Sequence, residues 1–441
     1  VARIKDRWFN ARKGPDGERV KSARHGKGDR WQVVYDDDEG RERGPTFARR
    51  VDAERFMTTV EADKLRGAYV DPDKGKKLLK IYVAEWQKGQ VQHAPSTVST
   101  VDSDLRNHVL PPFGDKAIGR IRRTAVQAWV TERSAVLAPT TLHRVYGLLA
   151  TILKAAVVDE IIVRTPCVEI NLPPITKTRV VPLPTLAVEA IIEAAPARWR
   201  SAFILGAGTG QREGEILGLT LDRVEFLARQ GRVDRQAQTP NKGKPYIRPL
   251  KTEASERTIP YPDVVLNALS EHVRLFPPDL VELDVYTERA AGAKPKRVAV
   301  RLLYPGHDGT LIRRWRFIDN VWKPAVKRAE AALRERAAKE RSAGRKDSAD
   351  KIDAAADRLR GKVDFHELRH YYASLLISQG ANVKVVQARL GHKNATETLD
   401  TYGHLWPDSD ESTRVAVDTV LGAALGKIGT QSAQERPTAL G

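Results

Sequence analysis

One cysteine stands in the 441 residues of this chain. Cys167 alone excludes an internal disulfide and a cysteine-built zinc cluster. So little thiol agrees with a reducing cytoplasm. No apolar run is long enough to cross a bilayer, no signal-peptide pattern opens the chain, and no internal repeat is visible. Acidic charge is also short: 56 Asp and Glu face 74 Lys and Arg, for a net charge of +18 and a pI of about 9.9. A balance this basic is expected to bind a polyanion, with nucleic acid leading, although a ribosomal or membrane-surface protein would share it. Hydrophobic residues still reach 41%, enough for real cores, and the length suits about three domains.

What is present is concentrated between His366 and Tyr402, HELRHYYASLLISQGANVKVVQARLGHKNATETLDTY. Asp364 can cap a helix there, with Glu367 as the partner of a capping box. Leu368, Tyr372, Leu375 and Leu376 repeat at helical spacing and are expected to face a core. His366 and Arg369 lie three apart, on one face near the helix start, where free N–H groups and the dipole suit a phosphate. Gly380 stops this helix. Asn382 caps the next, with Val383, Val386 and Leu390 as its buried stripe, and Gly391 leaves His392 on a tight corner. A last short helix carries Leu399 and Tyr402. The polar residues of these helices can converge on one small anion, read as a DNA phosphate.

Two other readings fit part of the stretch. His366-Glu367-Leu368-Arg369-His370 matches H-E-x-x-H, in which both histidines would bind zinc and the glutamate would be the base of a protease. The later Gly and His of the extended motif are absent, Glu397 is only a distant third ligand, and Arg369 and Tyr402 have no task in that chemistry. The plainest alternative is a core helix with incidental polar residues.

In chain order, residues 1–66 read as a small basic α+β module. Trp31, Val33 and Tyr35 alternate as a strand, Asp37–Gly40 turns, Arg41–Phe47 returns, and Ile4–Phe9 adds a third strand. A helix over 51–64 packs Phe56 and Val60 on the sheet, and Gly67 follows it. Residues 75–172 read as all-helical, with stripes at Leu79, Tyr82, Val83 and Trp86, at Val98 and Leu105, at Val126 and Trp129, and from Leu142 to Ala156. His108, Arg122, Arg123, Arg144 and Lys154 are candidate phosphate contacts, and Pro111-Pro112 is placed between helices. Residues 173–184, rich in proline and holding Lys177 and Arg179, form a stiff linker. A further domain, mainly α with a small antiparallel sheet, spans 185–410. In it Gly206–Gly210 is expected to be a turn, Arg212 and Glu215 share a helix face, and Val233–Pro260 forms three antiparallel strands. Gly214 costs that helix about 1 kcal/mol of propensity. Residues 327–361 suggest a solvated helical hairpin. Residues 411–425 form a short amphipathic helix with Val417, Val420, Leu421 and Leu425, ahead of a disordered tail from about Thr430.

The ordered set H-x-L-R-H, L-G-H and T-Y-G-H, with T-G-x-R-x-x-E-I-L-x-L upstream, resembles the tyrosine recombinase (phage integrase) family. The resemblance implies catalytic roles for Arg212, His366, Arg369, His392 and Tyr402, and a supporting one for Glu215. Leu250-Lys251-Thr252 followed by Ser255–Pro260 resembles the family's hairpin, which implies Lys251 as the catalytic lysine, with Lys242 and Lys244 as rivals. The family's layout implies an arm-type DNA-binding module, a helical core-binding domain and a catalytic domain. It also implies cleavage through a 3′-phosphotyrosyl link without ATP, metal or other cofactor. The implied partners are double-stranded attachment-site DNA, a homotetramer on it, and a host bending protein and excision factor. No membrane is implied, and the implied location is the cytoplasm, with the nucleoid. A DNA-binding regulator that no longer cleaves and a type IB topoisomerase share the fold or the chemistry. The six filled positions argue against the first, and the basic front module and helical segment argue against the second.

Overall fold

The computed structural model describes residues 2–13, 15, 17–36, 40–65, 69, 71, 73–176, 179–240, 243–290, 292–406, 414–415 and 417–422. The chain divides into two units, Val1–Thr176 and Lys177–Gly441. The division falls inside the proline-rich segment, whose Lys177 lies outside the described residues.

The first unit opens with β1 (Arg3–Asp6), β2 (Phe9–Lys13), β3 (Arg19–Lys21), β4 (Trp31–Asp36), β5 (Glu42–Arg43), β6 (Thr46–Phe47) and α1 (Arg50–Leu65). β1 pairs antiparallel with β4, Ile4 opposite Val33, and β5 and β6 add to the other edge of β4. The alternation of β4 puts Val33 and Tyr35 under α1, against Ala53 and Val60. A second hairpin, β2–β3, was not legible in the sequence. Residues 37–39 of the expected turn and Gly67 lie outside the described residues. Several basic residues of this face hold the module itself together. Arg30 pairs with Asp6 and lies over the Trp8, Phe9 and Trp31 rings, and Arg43 pairs with Asp71 and Asp73.

Five helices complete this unit: α2 (Leu79–Lys88), α3 (Pro95–Asp104), α4 (Leu110–Phe113), α5 (Arg123–Ser134) and α6 (Pro139–Val158). Pro111-Pro112 is not between helices but in the first turn of α4, which runs on from a π-helical turn over Leu105–Val109. α6 is the one described helix long and apolar enough to cross a membrane. Here it buries Leu142, Val145, Leu149 and Ile152 in a core shared with Phe113 and Trp129. Of the candidate phosphate contacts, Arg123 is spent on the Val168 and Glu169 carbonyls at 3.1 and 2.6 Å. Arg144 is paired with the buried Asp104. Arg122 and Lys154 are exposed.

The second unit begins with α7 (Thr185–Ala194), α8 (Ala197–Thr209) and α9 (Glu213–Leu217), then β7 (Val224–Glu225), β8 (Gln230–Val233), β9 (Arg235–Gln238), β10 (Tyr246–Pro249) and β11 (Arg257–Pro260). It continues through α10 (Asp263–Leu275), β12 (Leu280–Val285), β13 (Lys296–Arg301), α11 (Arg314–Phe317), α12 (Lys323–Ser342) and α13 (Lys346–Asp357). It closes on α14 (Glu367–Ser378), α15 (Val383–Leu390) and α16 (Ala395–Tyr402). The glycine run 206–209 is helix, not turn: α8 ends only at Gly210, whose φ is +64°. The glycines are there for close approach. A Cβ on Gly208 would sit 2.5 Å from Val265 of α10, and one on Gly206 3.1 Å from Leu368 of α14. Gly214 has the same explanation, because a Cβ there would meet the Ala237 carbonyl of β9 at 3.1 Å.

The three strands expected over Val233–Pro260 are β9, β10 and β11, but they belong to two sheets instead of one. β8 and β9 run on from one another and pair antiparallel with β11 and β10 respectively. Arg235 opposes Pro249 and Val233 opposes Arg257, so residues 250–256 bulge out between the two ladders. β10 also takes β12 on its other side, and β12 pairs with β13. α12 and α13 form the helical hairpin expected over 327–361, but it is packed rather than solvated. Ala329, Leu333, Ala337, Ile352, Ala355 and Ala356 are buried in the unit's core. Rings of Phe203, Phe317, Trp322 and Phe365, with centroids 5.0–6.3 Å apart, fix the start of α14. Leu375, expected in the core, is 41% exposed. Of the C-terminal helix expected over 411–425, Arg414, Val415 and 417–422 are described and helical, with Val417, Val420 and Leu421 exposed. Leu425 and the tail lie outside the described residues.

Candidate active site

Glu215 organises the cationic part of the site. Arg212 is the N-cap of α9, and the Glu215 carboxylate accepts both its backbone N–H at 2.8 Å and its Nη1 at 3.0 Å. From β11, Arg257 closes a two-pronged pair on the same carboxylate at 2.8 and 3.2 Å. Burial opposes ionisation of Glu215, but Arg257 and Arg212 win and hold its carboxyl down to about 2. Arg257 Nε also donates to the Arg389 carbonyl at 2.8 Å. Arg212 is left partly exposed, with its Nε and Nη2 bonded to no other group among the described residues.

Arg369 projects from the first turn of α14 and is 2% exposed. Its Nη1 donates to the Gly210 carbonyl at 2.8 Å and its Nη2 to the Leu390 carbonyl at 2.7 Å. These carbonyls end α8 and α15, where the helix dipole presents partial negative charge to a cation. Burial and the Arg212 charge lower its pKa to about 9, which leaves it charged at neutral pH. His366 is the N-cap of α14. Its backbone N–H donates to Asp364 Oδ1 at 2.8 Å, a local turn in place of the expected capping box. Desolvation and the charges of His370, Arg369 and Arg212 hold its imidazole below the ordinary range.

Asn382 and Asn394 cap α15 and α16 with their side chains, and Gly391, at φ +64°, makes the corner that carries His392. His392 is buried, with Nδ1 hydrogen-bonded to the Thr398 hydroxyl at 2.8 Å and Nε2 3.9 Å from Glu397. Burial, then Arg369, Arg212 and Arg257, push its pKa down to about 3, so the ring is neutral at pH 7. It lies parallel to the Tyr402 ring, 10° between planes and 6.4 Å between centroids.

Tyr402 is 1% exposed, among Tyr372, Ile377, Val386 and Leu390. Burial pushes its phenol up to about 12, against the pull of Arg369 and Arg212. Its hydroxyl is hydrogen-bonded to His370 Nδ1 at 2.8 Å. His366 and His370 meet edge to face at 4.7 Å. Among the described residues no three His, Cys, Asp or Glu are grouped to hold a metal.

Arg212, Glu215, His366, Arg369, His392 and Tyr402 therefore act on one another electrostatically in one pocket. Lys251 is not drawn in. It is exposed in the 250–256 bulge and makes no side-chain bond among the described residues. Its rival Lys244 is also exposed, and Lys242 lies outside the described residues. Two residues of the pocket had no part in the expected set. Arg257 is the inward member of a short strand, and its sequence signal, S-x-R-T-I-P, names no partner. His370 was visible only as the second histidine of the zinc pattern.

A model of the phage integrase family matches residues 326–408. A chain named as a prophage phiRv2 integrase in Mycobacterium tuberculosis is 25% identical over 378 residues, 84% of this chain and 88% of that one. Among solved structures, the Tn1549 transposon integrase with circular intermediate DNA aligns at a TM-score of 0.59 and 18% identity, covering 78% of this chain and 99% of that one. A lambda integrase dimer bound to a COC′ core site aligns at 0.50 and 15% identity, covering 86% and 94%. At these identities the structural likeness is one of fold.

Proposed function

We propose that this chain, a member of the phage integrase family of tyrosine recombinases, is a site-specific DNA recombinase that cuts and rejoins DNA through a 3′-phosphotyrosyl link. The reading rests above all on one observation: the enclosed Tyr402, whose ring lies parallel to His392 and whose hydroxyl meets His370, is gathered with the buried Arg369 and within electrostatic reach of Arg212. A zinc protease is not favoured, because His370 is engaged by Tyr402 instead of facing a shared metal position with His366.

Tyr402 Oη attacks the scissile phosphorus in line and holds it covalently, dividing one hard step into two. Arg212 and the second N–H of each Arg369 Nη supply planar donors to the non-bridging oxygens. His392 takes the Thr398 hydroxyl on Nδ1, which leaves Nε2–H as a further donor. His366 adds another. Four fixed donors around the phosphoryl group do the electrostatic work of the transition state. Lys251 swings in with the 250–256 bulge to protonate the departing 5′ oxygen. The bond energy stays in the phosphotyrosyl link, so a 5′-hydroxyl can attack and religate without ATP. The buried phenol requires the site to open to the phosphate before attack.

The proposed partners are double-stranded attachment sites, bound by a homotetramer through two strand exchanges that integrate or excise a mobile element. A host bending protein and an excision factor belong to that assembly. The basic 1–66 module reads arm-type sites, the 75–172 segment grips the core site, and the work is done in the cytoplasm, on the nucleoid. The test is incubation with attachment-site duplex carrying a trapping nick, with the adduct mapped by mass spectrometry. Wild-type protein is expected to give a peptide–DNA adduct at Tyr402, unaffected by EDTA. Tyr402→Phe is expected to bind the duplex and give none; an adduct in that variant would sink the assignment.

A further inference from the structure

We propose that His370 is the catalytic residue that accepts the Tyr402 proton as the phenol attacks, and returns it on religation. The inference rests on the recombinase reading of this site. Its first support is contact: His370 Nδ1 is 2.8 Å from the phenol oxygen, the distance a general base needs. Neither of the other two histidines of the site does this. His366 makes no hydrogen bond to the phenol among the described residues. His392 lies parallel to the Tyr402 ring with 6.4 Å between centroids, and with Nε2 protonated it has no free lone pair for the phenol. Its Nδ1 is already held by Thr398.

The second support is place. The phenol is almost wholly enclosed, so bulk water cannot remove its proton before the site opens. His370 and Arg369 are consecutive residues of α14, so the base and the anchored guanidinium keep a fixed relation. The charged and titratable groups around the pair are Asp364, His366, Glu367 and Arg369 from α14 and its approach, His392 from the corner after α15, Glu397 from α16, and Arg212 beside α9. Burial and Arg369 hold His370 below its ordinary value, with Asp364 opposing, so the ring is neutral and able to accept at pH 7.

The step balances. The Tyr402 Oη–P bond forms and the P–O5′ bond breaks. The phenol proton passes to His370 Nδ1, the 5′ oxygen takes a proton from Lys251, and no oxidation occurs. Religation runs each transfer backwards.

The test uses the full chain and its attachment-site duplex with sulfur in place of the bridging 5′ oxygen, a leaving group that needs no proton. Single-turnover cleavage then reports on the phenol alone. His370→Gln is expected to bind this duplex like wild type and to cleave about 10²-fold more slowly at pH 7. The deficit is expected to shrink as the pH rises toward the phenol's own range. In His370→Ala, added imidazole is expected to restore part of the rate. A wild-type rate in His370→Gln, or a deficit constant with pH, overturns the inference. The wild-type profile needs no variant: it is expected to fall on the acid side, below about pH 6.5, and a flat acid side overturns the proposal. Wild-type protein that binds but forms no adduct would remove the recombinase reading itself. Wild-type cleavage matched by His370→Gln removes only the role of His370.

Discussion

Glu215 is one carboxylate answering two guanidinium groups inside the fold. Its removal strands Arg257, which is 6% exposed on its side chain. Breaking a buried pair from one side costs about 3–5 kcal/mol, so Glu215→Ala is expected to lose stability on that scale in urea unfolding. The same residues make the pocket acid-sensitive. Glu215 sits near 2 and His392 near 3 in the folded chain, both below their free values. The unfolded chain therefore binds more protons between those values, and stability rises with pH there. Full stability is expected above about pH 6.5 and progressive loss as the pH falls through the folded values, measurable as a falling melting temperature. Arg212, Glu215, His366, Arg369, His392 and Tyr402 stood out as candidates because each sits in a short local motif. Arg257 and His370 did not, since each acquires its partner from a segment far along the chain.

The helices show a different limit. The sequence places α15 correctly because an Asn cap and a left-handed glycine are local signals, while the Asn394 cap of α16 emerges only in the structure. It misreads Gly206–Gly210 as a turn, because nothing nearby says that α10 and α14 press against that face of α8. Gly208→Ala is expected to cost about 1–3 kcal/mol through overpacking, since the Val265 side chain it meets is fully buried; a urea midpoint equal to wild type would refute the packing account. The α12–α13 hairpin was misjudged for a related reason. Alanines make little apolar stripe in a sequence, yet they let helices lie close. The 250–256 bulge leads to a sharper expectation. If its lysine protonates the leaving oxygen, Lys251→Ala is expected to slow cleavage of ordinary DNA about 10²–10⁴-fold. The sulfur-substituted duplex is expected to recover the rate. Equal slowing on both duplexes would point to a structural role.

At the scale of the whole molecule, the chain is two units divided between Thr176 and Lys177. Each has its own buried core. Residues 177–441 expressed alone are expected to unfold in one cooperative transition, which differential scanning calorimetry would test. With a net charge of +18, binding to duplex is expected to be salt-steep. For 6–10 phosphate contacts the affinity falls by about 10³–10⁵ between 50 and 200 mM salt, and a shallow slope would argue against an extended contact. The retracted phenol has a last consequence, for chemistry applied from outside. Tetranitromethane modifies tyrosines that water can reach, so the resting chain should keep Tyr402 unnitrated while the partly exposed Tyr146, Tyr246, Tyr286 and Tyr371 react first. Nitration of that ring on adding DNA would then report the opening of the site.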